Sequence, residues 1–224
     1  MADAQSIKAF RFAVVAIDAV CFCIIDGQLN VLLGKVNVKP FYKDRWGLIG
    51  GIVLPEEDAD QAVERHLHDK AGLEGVYKEQ LYTFSTIKRD PRNRVISVAY
   101  LCLTPEPLGD RAGAVETEWR PVRSISDLAY DHDEILKAAV ERLQSRIGYT
   151  NIAQYLLPKE FTLTDLQKTY EIILDRTLDK RNFRKKVSDA QLVRATQKKV
   201  RAGASRPALL YRFVSKQPAV IEIL

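Results

Sequence analysis

The segment from Trp46 to Leu73 constrains this chain more than any other. It runs Trp46-Gly-Leu-Ile-Gly-Gly51, then Ile-Val-Leu-Pro-Glu-Glu57, then a stretch in which Ala59, Ala62, Val63, Leu67 and Ala71 fall on one face of a helix over 58–71. Paired glycines let a backbone turn sharply or approach a ligand closely, which makes Gly50 and Gly51 candidate ligand contacts. Pro55 suits the approach to the helix near its first turn, and Gly72 suits its C-terminal stop. Positions 66, 69 and 70 are three and four residues apart and share a second stretch of the helix surface. His66, Asp69 and Lys70 stand there.

The surrounding pattern is strand-rich. Residues 11–25 and 29–36 are β-branched runs on either side of Asp26-Gly27, a strong hairpin signal. Residues 37–50 read as loop. Strands are expected over 80–88 and 94–103, separated by the basic turn Arg89-Asp-Pro-Arg-Asn-Arg94, and again over 115–122. A helix reaches to about Ile147 and is expected to end at Gly148, which places a domain boundary there: 1–148 and 149–224.

The second module reads as helices and a hairpin. A short helix over 151–157 closes at Pro158. Thr162-Leu-Thr-Asp165 is a capping-box-like start to a helix with Leu163, Leu166, Tyr170, Ile173 and Leu174 on one face. Asp175-Arg-Thr177 makes a turn, and a helix over 178–189 buries Phe183 and Val187 while exposing Lys180, Arg181, Arg184 and Lys185. Two strand-like runs, 192–200 and 208–214, follow. This is the layout of a winged helix-turn-helix, whose basic helix enters a DNA major groove. Thr177 closes the turn before that helix and is a candidate DNA contact, and Lys198, Lys199, Arg201 and Arg206 on the wing are placed to meet phosphate.

Charge follows the same division. The net charge of +5 is uneven: residues 151–224 carry 15 Lys/Arg against 7 Asp/Glu, whereas residues 1–150 carry 19 against 22. A basic tail on a near-neutral body points to a polyanion partner; a merely solvated basic surface is the competing reading by charge alone. No run of eighteen apolar residues occurs, so no membrane span is expected. Cys21, Cys23 and Cys102 lie in apolar runs and read as reduced core thiols of a cytoplasmic protein.

The 51–73 segment resembles the Nudix box: a glycine, a glutamate six residues on, an arginine eight after that, then Glu-apolar-x-Glu-Glu-x-Gly-apolar. Gly51, Glu57, Arg65, Leu67, Gly72 and Leu73 match; His66 and Lys70 replace two of the clustered glutamates, and Asp69 is a shortened third. Arg89-Asp-Pro-Arg-x-Arg94 with Val-Ile-Ser-Val-Ala-Tyr100, Leu128-Ala-Tyr-Asp-His132, and the tail phrases 161–167, 178–184 and 206–213 extend the resemblance across residues 10–214. The whole chain resembles the Nudix-related transcriptional regulators of NAD metabolism (NrtR family). That implies an α+β chain, with an N-terminal Nudix α/β/α sandwich on a mixed sheet and a C-terminal winged helix-turn-helix. It implies a DNA-binding repressor of NAD biosynthesis or salvage genes, acting as a homodimer on an operator with related half-sites, with ADP-ribose or a related NAD metabolite as effector.

On this reading the effector sits in the Nudix cleft. Trp46 stacks near it, Arg89 and Arg94 reach its charged or polar parts, and Glu57 and Asp69 line the old catalytic wall. Lys70 either neutralises leftover carboxylates and stands in for the missing ion, touches a ligand phosphate directly, or is a solvated lysine paired with Glu74. Asp131 and His132 are either ligand contacts or, for Asp131, a helix N-cap. With two carboxylates replaced, no catalytic set, no required cofactor and at most weak magnesium binding are expected. The rival is an active metal-dependent ADP-ribose pyrophosphatase with a structural tail; an RNA-binding tail is weakened by the lack of an aromatic stacking pair on a sheet.

Overall fold

The computed structural model describes residues 12–107, 114–201 and 207–221. Asp26 and Gly27 both have positive φ, 50° and 73°, the backbone of a tight hairpin turn whose twist suits antiparallel strands. They join β1 (Val14–Ile25) to β2 (Gln28–Val38). The C-terminal half of β1 pairs with β2, its N-terminal half pairs antiparallel with β4 (Ile49–Ile52), and its other edge runs parallel to β6 (Val95–Leu103). β3 (Tyr42–Gly47) and β7 (Thr117–Pro121) pair with β2, and β5 (Tyr77–Phe84) pairs with β6. The result is a seven-stranded mixed sheet.

The expectation of loop over 37–50 is corrected, because β3 and β4 occupy much of it. β4 is four residues long and half glycine, so it carries no readable alternation, and the ladder to β1 defines it instead. A Cβ on Gly50 would lie 2.2 Å from the Ile17 carbonyl oxygen, and one on Gly51 would lie 2.5 Å from the His66 ring. Only glycine lets this strand fit between β1 and the helix above it. The strand expected over 80–88 stops at Phe84, so the basic turn is the end of a longer loop over 85–94.

Side chains alternate along β1. Ile17, Ala19 and Cys21 face one core with Ala62, Val63 and Leu67 of helix α1 (Ala59–Ala71). Val20 and Phe22 face another core with Ile135, Ala139 and Leu143 of helix α2 (His132–Tyr149). This is the α/β/α sandwich. Asp58 caps α1, accepting from the Gln61 amide while the Gln61 side chain returns to the Asp58 amide, an arrangement that stabilises a helix by about 1 kcal/mol. Gly72 ends α1 in the left-handed conformation at φ 65°. Cys21, Cys23 and Cys102 are free and buried.

Gly148 does not end α2, a second correction. The helix continues to Tyr149 because its last carbonyls find partners: Thr150 Oγ1 donates to Arg146 O at 2.6 Å, and the Ile221 amide donates to Tyr149 O at 2.8 Å. The core is continuous from Leu143 and Ile147 into Ile152, Phe161, Leu166 and Tyr170 of the second module. A 3-10 turn (Ile152–Tyr155) takes the place of the short helix over 151–157. Thr162 then caps helix α3 (Leu163–Leu174) through a reciprocal box with Asp165. Asp175, at φ 54°, turns the chain toward α4 (Lys180–Asp189). β8 (Val193–Val200) and β9 (Ala208–Phe213) form the wing hairpin, and Phe161 bridges to Tyr211 at its base. No helix among the described residues is long and apolar enough to cross a membrane.

Candidate functional site

A cavity of about 510 Å³ opens between β1, β2, β4 and the 85–94 loop, a size that suits a nucleotide-like ligand. Its floor is a buried charge network. Asp18 is the one charged residue in the apolar run of β1. Its carboxylate accepts from Ser97 Oγ at 2.6 Å and from Arg89 Nη2 at 3.0 Å, and lies 3.2 Å from His132 Nε2. Burial raises its pKa, and these contacts more than offset that, holding it below the usual carboxylate value. His132 Nδ1 accepts from the Leu48 amide at 2.9 Å, so the ring is assigned as the Nε2–H tautomer donating to Asp18. Arg89 also grips Asp131 through two bonds, 2.9 and 2.7 Å. Asp131 occupies the N-cap position of α2 without a side-chain capping bond; Arg89 takes its carboxylate instead.

The residues singled out from sequence divide accordingly. Gly50, Lys70, Arg89 and His132 line the cavity together, as does Gly51. Arg89 and His132 do so as buried parts of the floor, at 6% and 3% exposure. Asp131 braces Arg89 from behind. Arg94 is outside the lining; its guanidinium contacts the Thr86 and Val95 carbonyls. Arg92 takes the position expected of Arg94: it lines the cavity, forks onto Asp90 at 3.0 and 2.7 Å, and lies 5.7 Å from the Tyr130 ring centroid. Trp46 is also outside the lining. Lys35 Nζ and Arg120 sit 4.3 and 4.2 Å from its ring centroid, so cations of the same chain already cover it.

On α1, the three residues singled out at positions 66, 69 and 70 do three different things. His66 is buried beneath Gly51, with Nε2 at 3.1 Å from the Ile52 carbonyl oxygen; burial lowers its pKa from the usual imidazole value. Asp69 is exposed and meets His68 Nδ1 at 2.9 Å. Lys70 reaches the other way, into the cavity, and donates to the Gly50 carbonyl. Glu57 lies outside the cavity lining. It accepts from Arg65 Nε and from the Leu54 amide, both at 2.8 Å, and the Arg65 bond holds its pKa down at about 2. Glu57 and Arg65 therefore pin the loop that leads into α1. Among the described residues, no three His, Cys, Asp or Glu side chains are grouped to hold a metal ion.

Asp18 and Ser97 were not singled out from sequence, and Arg92 entered only as one of the three arginines of the 89–94 turn. A lone aspartate inside an apolar strand was the available signal for Asp18, since a buried charge demands partners.

The second surface is α4. Lys180, Arg181, Arg184 and Lys185 are exposed opposite buried Phe183 and Val187, and Lys186 joins them. Asp179 caps the helix by accepting from the Asn182 amide at 2.8 Å. Thr177 is exposed in the turn before it. On the wing, Lys199 and Arg201 are exposed, while Lys198 pairs with Glu160 at 3.1 Å. Arg206 lies outside the described residues.

Comparison with known proteins matches both halves. The NUDIX domain model matches residues 16–143, and the NrtR DNA-binding winged helix domain model matches residues 153–213. The ADPR responsive transcriptional repressor NtrR of Acinetobacter baylyi is 36% identical over 203 residues, covering 88% of this chain and 80% of that protein. The crystal structure of Shewanella oneidensis NrtR complexed with a 27mer DNA superposes with a TM-score of 0.79 at 32% identity, covering 89% of this chain and 93% of that one. The NUDIX domain of Shewanella oneidensis NrtR complexed with ADP ribose gives a TM-score of 0.53 at 32% identity, covering 64% and 99%.

Proposed function

We propose, from the premise that this chain belongs to the NrtR family of Nudix-related transcriptional regulators, that it is a cytoplasmic repressor of NAD biosynthesis or salvage genes which binds operator DNA through α4 and the wing and senses ADP-ribose in the Nudix cavity. The observation that carries the DNA reading is the exposed cationic face of α4, anchored by Phe183 and Val187 and presented behind the Asp175 turn. Five cations on one ten-residue helix form an electrostatic footprint for a phosphate backbone. A homodimer places two such helices in half-sites whose centres are about 34 Å, or a multiple, apart.

The cavity combines the size of a nucleotide site with three cationic side chains, Lys35, Lys70 and Arg92, on its walls. The relatives named for ADP-ribose support that ligand here. The same cavity binds without efficient cleavage on this reading. Hydrolysis of a diphosphate in a Nudix site relies on carboxylates that hold divalent ions, and the three positions on α1 carry a packed histidine, an outward aspartate and a lysine. An effector can change DNA affinity only by preferring one domain or dimer arrangement over another. Titrating ADP-ribose into a gel shift with operator DNA tests the proposal. A saturable change in the bound fraction is expected; no change at saturating ligand refutes the sensing role. AMP release at ordinary enzymatic rates with magnesium or manganese would instead establish the pyrophosphatase reading.

A further inference from the structure

The donor set around residues 66–70 does not fit a divalent cation. Such ions take several oxygen ligands, with carboxylates prominent. Here His66 is held under Gly51 and bonded to Ile52 O, Asp69 faces His68 on the solvent side, and Glu57, outside the cavity lining, is held by Arg65 and the Leu54 amide. Of the oxygens that line the cavity, the carboxylates of Asp18 and Asp90 are engaged by Arg89, Ser97 and His132 and by Arg92, and the Gly50 carbonyl already accepts from Lys70 Nζ.

Lys70 is unlike the other cations lining the cavity. Arg89 is spent on Asp18 and Asp131, and Arg92 on Asp90. Lys35 rests against the Asp44 carbonyl and the Trp46 ring. Lys70 is half-buried, and among the described residues its ammonium has the Gly50 carbonyl as its one hydrogen-bond acceptor. The nearby carboxylate, Asp18, is engaged by Arg89, Ser97 and His132. An ammonium has three donors. With one on Gly50 O, two remain for oxygens of a ligand, and among the described residues the carboxylate that acts on this charge, Asp18, makes no hydrogen bond to it.

We propose that Lys70 is a tethered cation standing where a Nudix site would hold its metal, so that the cavity recognises the diphosphate of its nucleotide without any divalent ion. This rests on the nucleotide-sensing reading above. It gives that site a specific chemistry: a fixed monovalent charge that binds phosphate oxygens but does not lower the pKa of a bound water as a metal ion does. Binding is thereby kept by Lys70 while cleavage is lost with the carboxylates at positions 66, 69 and 70.

Calorimetric titration of ADP-ribose into the full chain, with EDTA and separately with magnesium, tests this. The wild-type affinity is expected to be the same in both. Lys70→Met is expected to weaken ADP-ribose in EDTA by about ten- to a hundredfold, the worth of a charge-assisted hydrogen bond, while leaving adenosine binding unchanged; Lys70→Arg is expected to recover part of that affinity. Thermal melts of the variants show that the fold persists. Wild-type binding that appears only with magnesium, or Lys70→Met binding that equals wild type in EDTA, overturns the role of Lys70 while the sensing function stands. Absence of ADP-ribose binding under both conditions brings down the sensing function itself, and the Lys70 role with it.

Discussion

Replacing Arg89 with methionine separates a framework arginine from a ligand-binding one. In the native chain the Arg89 side chain is 4% exposed and joins Asp18 at 8% and Asp131 at 11%. Methionine keeps much of the length and apolar volume but leaves Asp131 without its arginine and Asp18 with Ser97 and His132 alone. Breaking a buried ion pair by removing one partner costs about 3–5 kcal/mol, because the surviving charge is left without compensation. For a chain of this size each kcal/mol moves the melting temperature by about 2–4 °C, so the variant should melt roughly 6–20 °C lower at pH 7. The pH dependence follows from Asp18, whose folded pKa lies below its usual 3.8. A depressed carboxylate contributes stability that is present above the unfolded pKa and lost as pH falls through the folded one. The gap between wild type and Arg89→Met should therefore narrow as the pH drops below about 3.8. Thermal melts and urea titrations without ligand, across that pH range, make the measurement. An unchanged melting temperature together with abolished ADP-ribose binding would refute the network and return Arg89 to the ligand-binding role expected from sequence.

The DNA-reading helix, the Glu57 ion pair and the junction between modules each give a further test. Replacing Arg181 and Arg184 with alanine should weaken operator binding and flatten its log-log salt dependence by about 0.9 for each phosphate no longer neutralised; unchanged binding would remove α4 as the DNA-reading helix. The Glu57 carboxyl, held by Arg65 at a pKa of about 2, should show a carbon-13 titration midpoint near that value. Its ion pair then persists through mild acid and is lost only as pH falls through the folded pKa, and an ordinary midpoint near 4.5 would mean that the pair does not form. Arg123, just past β7, pairs with Asp175 in the turn before α4. Both are exposed, so Asp175→Asn, which tolerates the left-handed backbone, should change stability by no more than about 1 kcal/mol. If this ion pair couples the modules, the variant should still shrink the response of DNA binding to ADP-ribose, and an unaltered response in the gel shift would exclude that coupling.

Local pattern carried much of this chain. Asp26-Gly27 announced its hairpin, the periodicity of 58–71 its helix, and Thr162 with Asp165 the start of α3, because each is settled by residues within one or two turns of chain. The exposed cations of α4 were equally legible, since Phe183 and Val187 four residues apart define which side is buried. By itself, then, the amino-acid order pointed to a Nudix-like scaffold followed by a winged helix with a basic helix, and the family comparison bears that out. Tertiary structure alone decided how the site is built. β4 is a strand because β1 offers it an edge, and His66 is a packing residue because Gly51 leaves room for its ring. Arg92 rather than Arg94 faces the cavity, while Arg89 is consumed by Asp18 and Asp131, 71 and 42 residues away in the chain. A side chain's charge is written in its own residue type, but what that charge does depends on which partners distant segments bring within about 3 Å, and no local pattern encodes that.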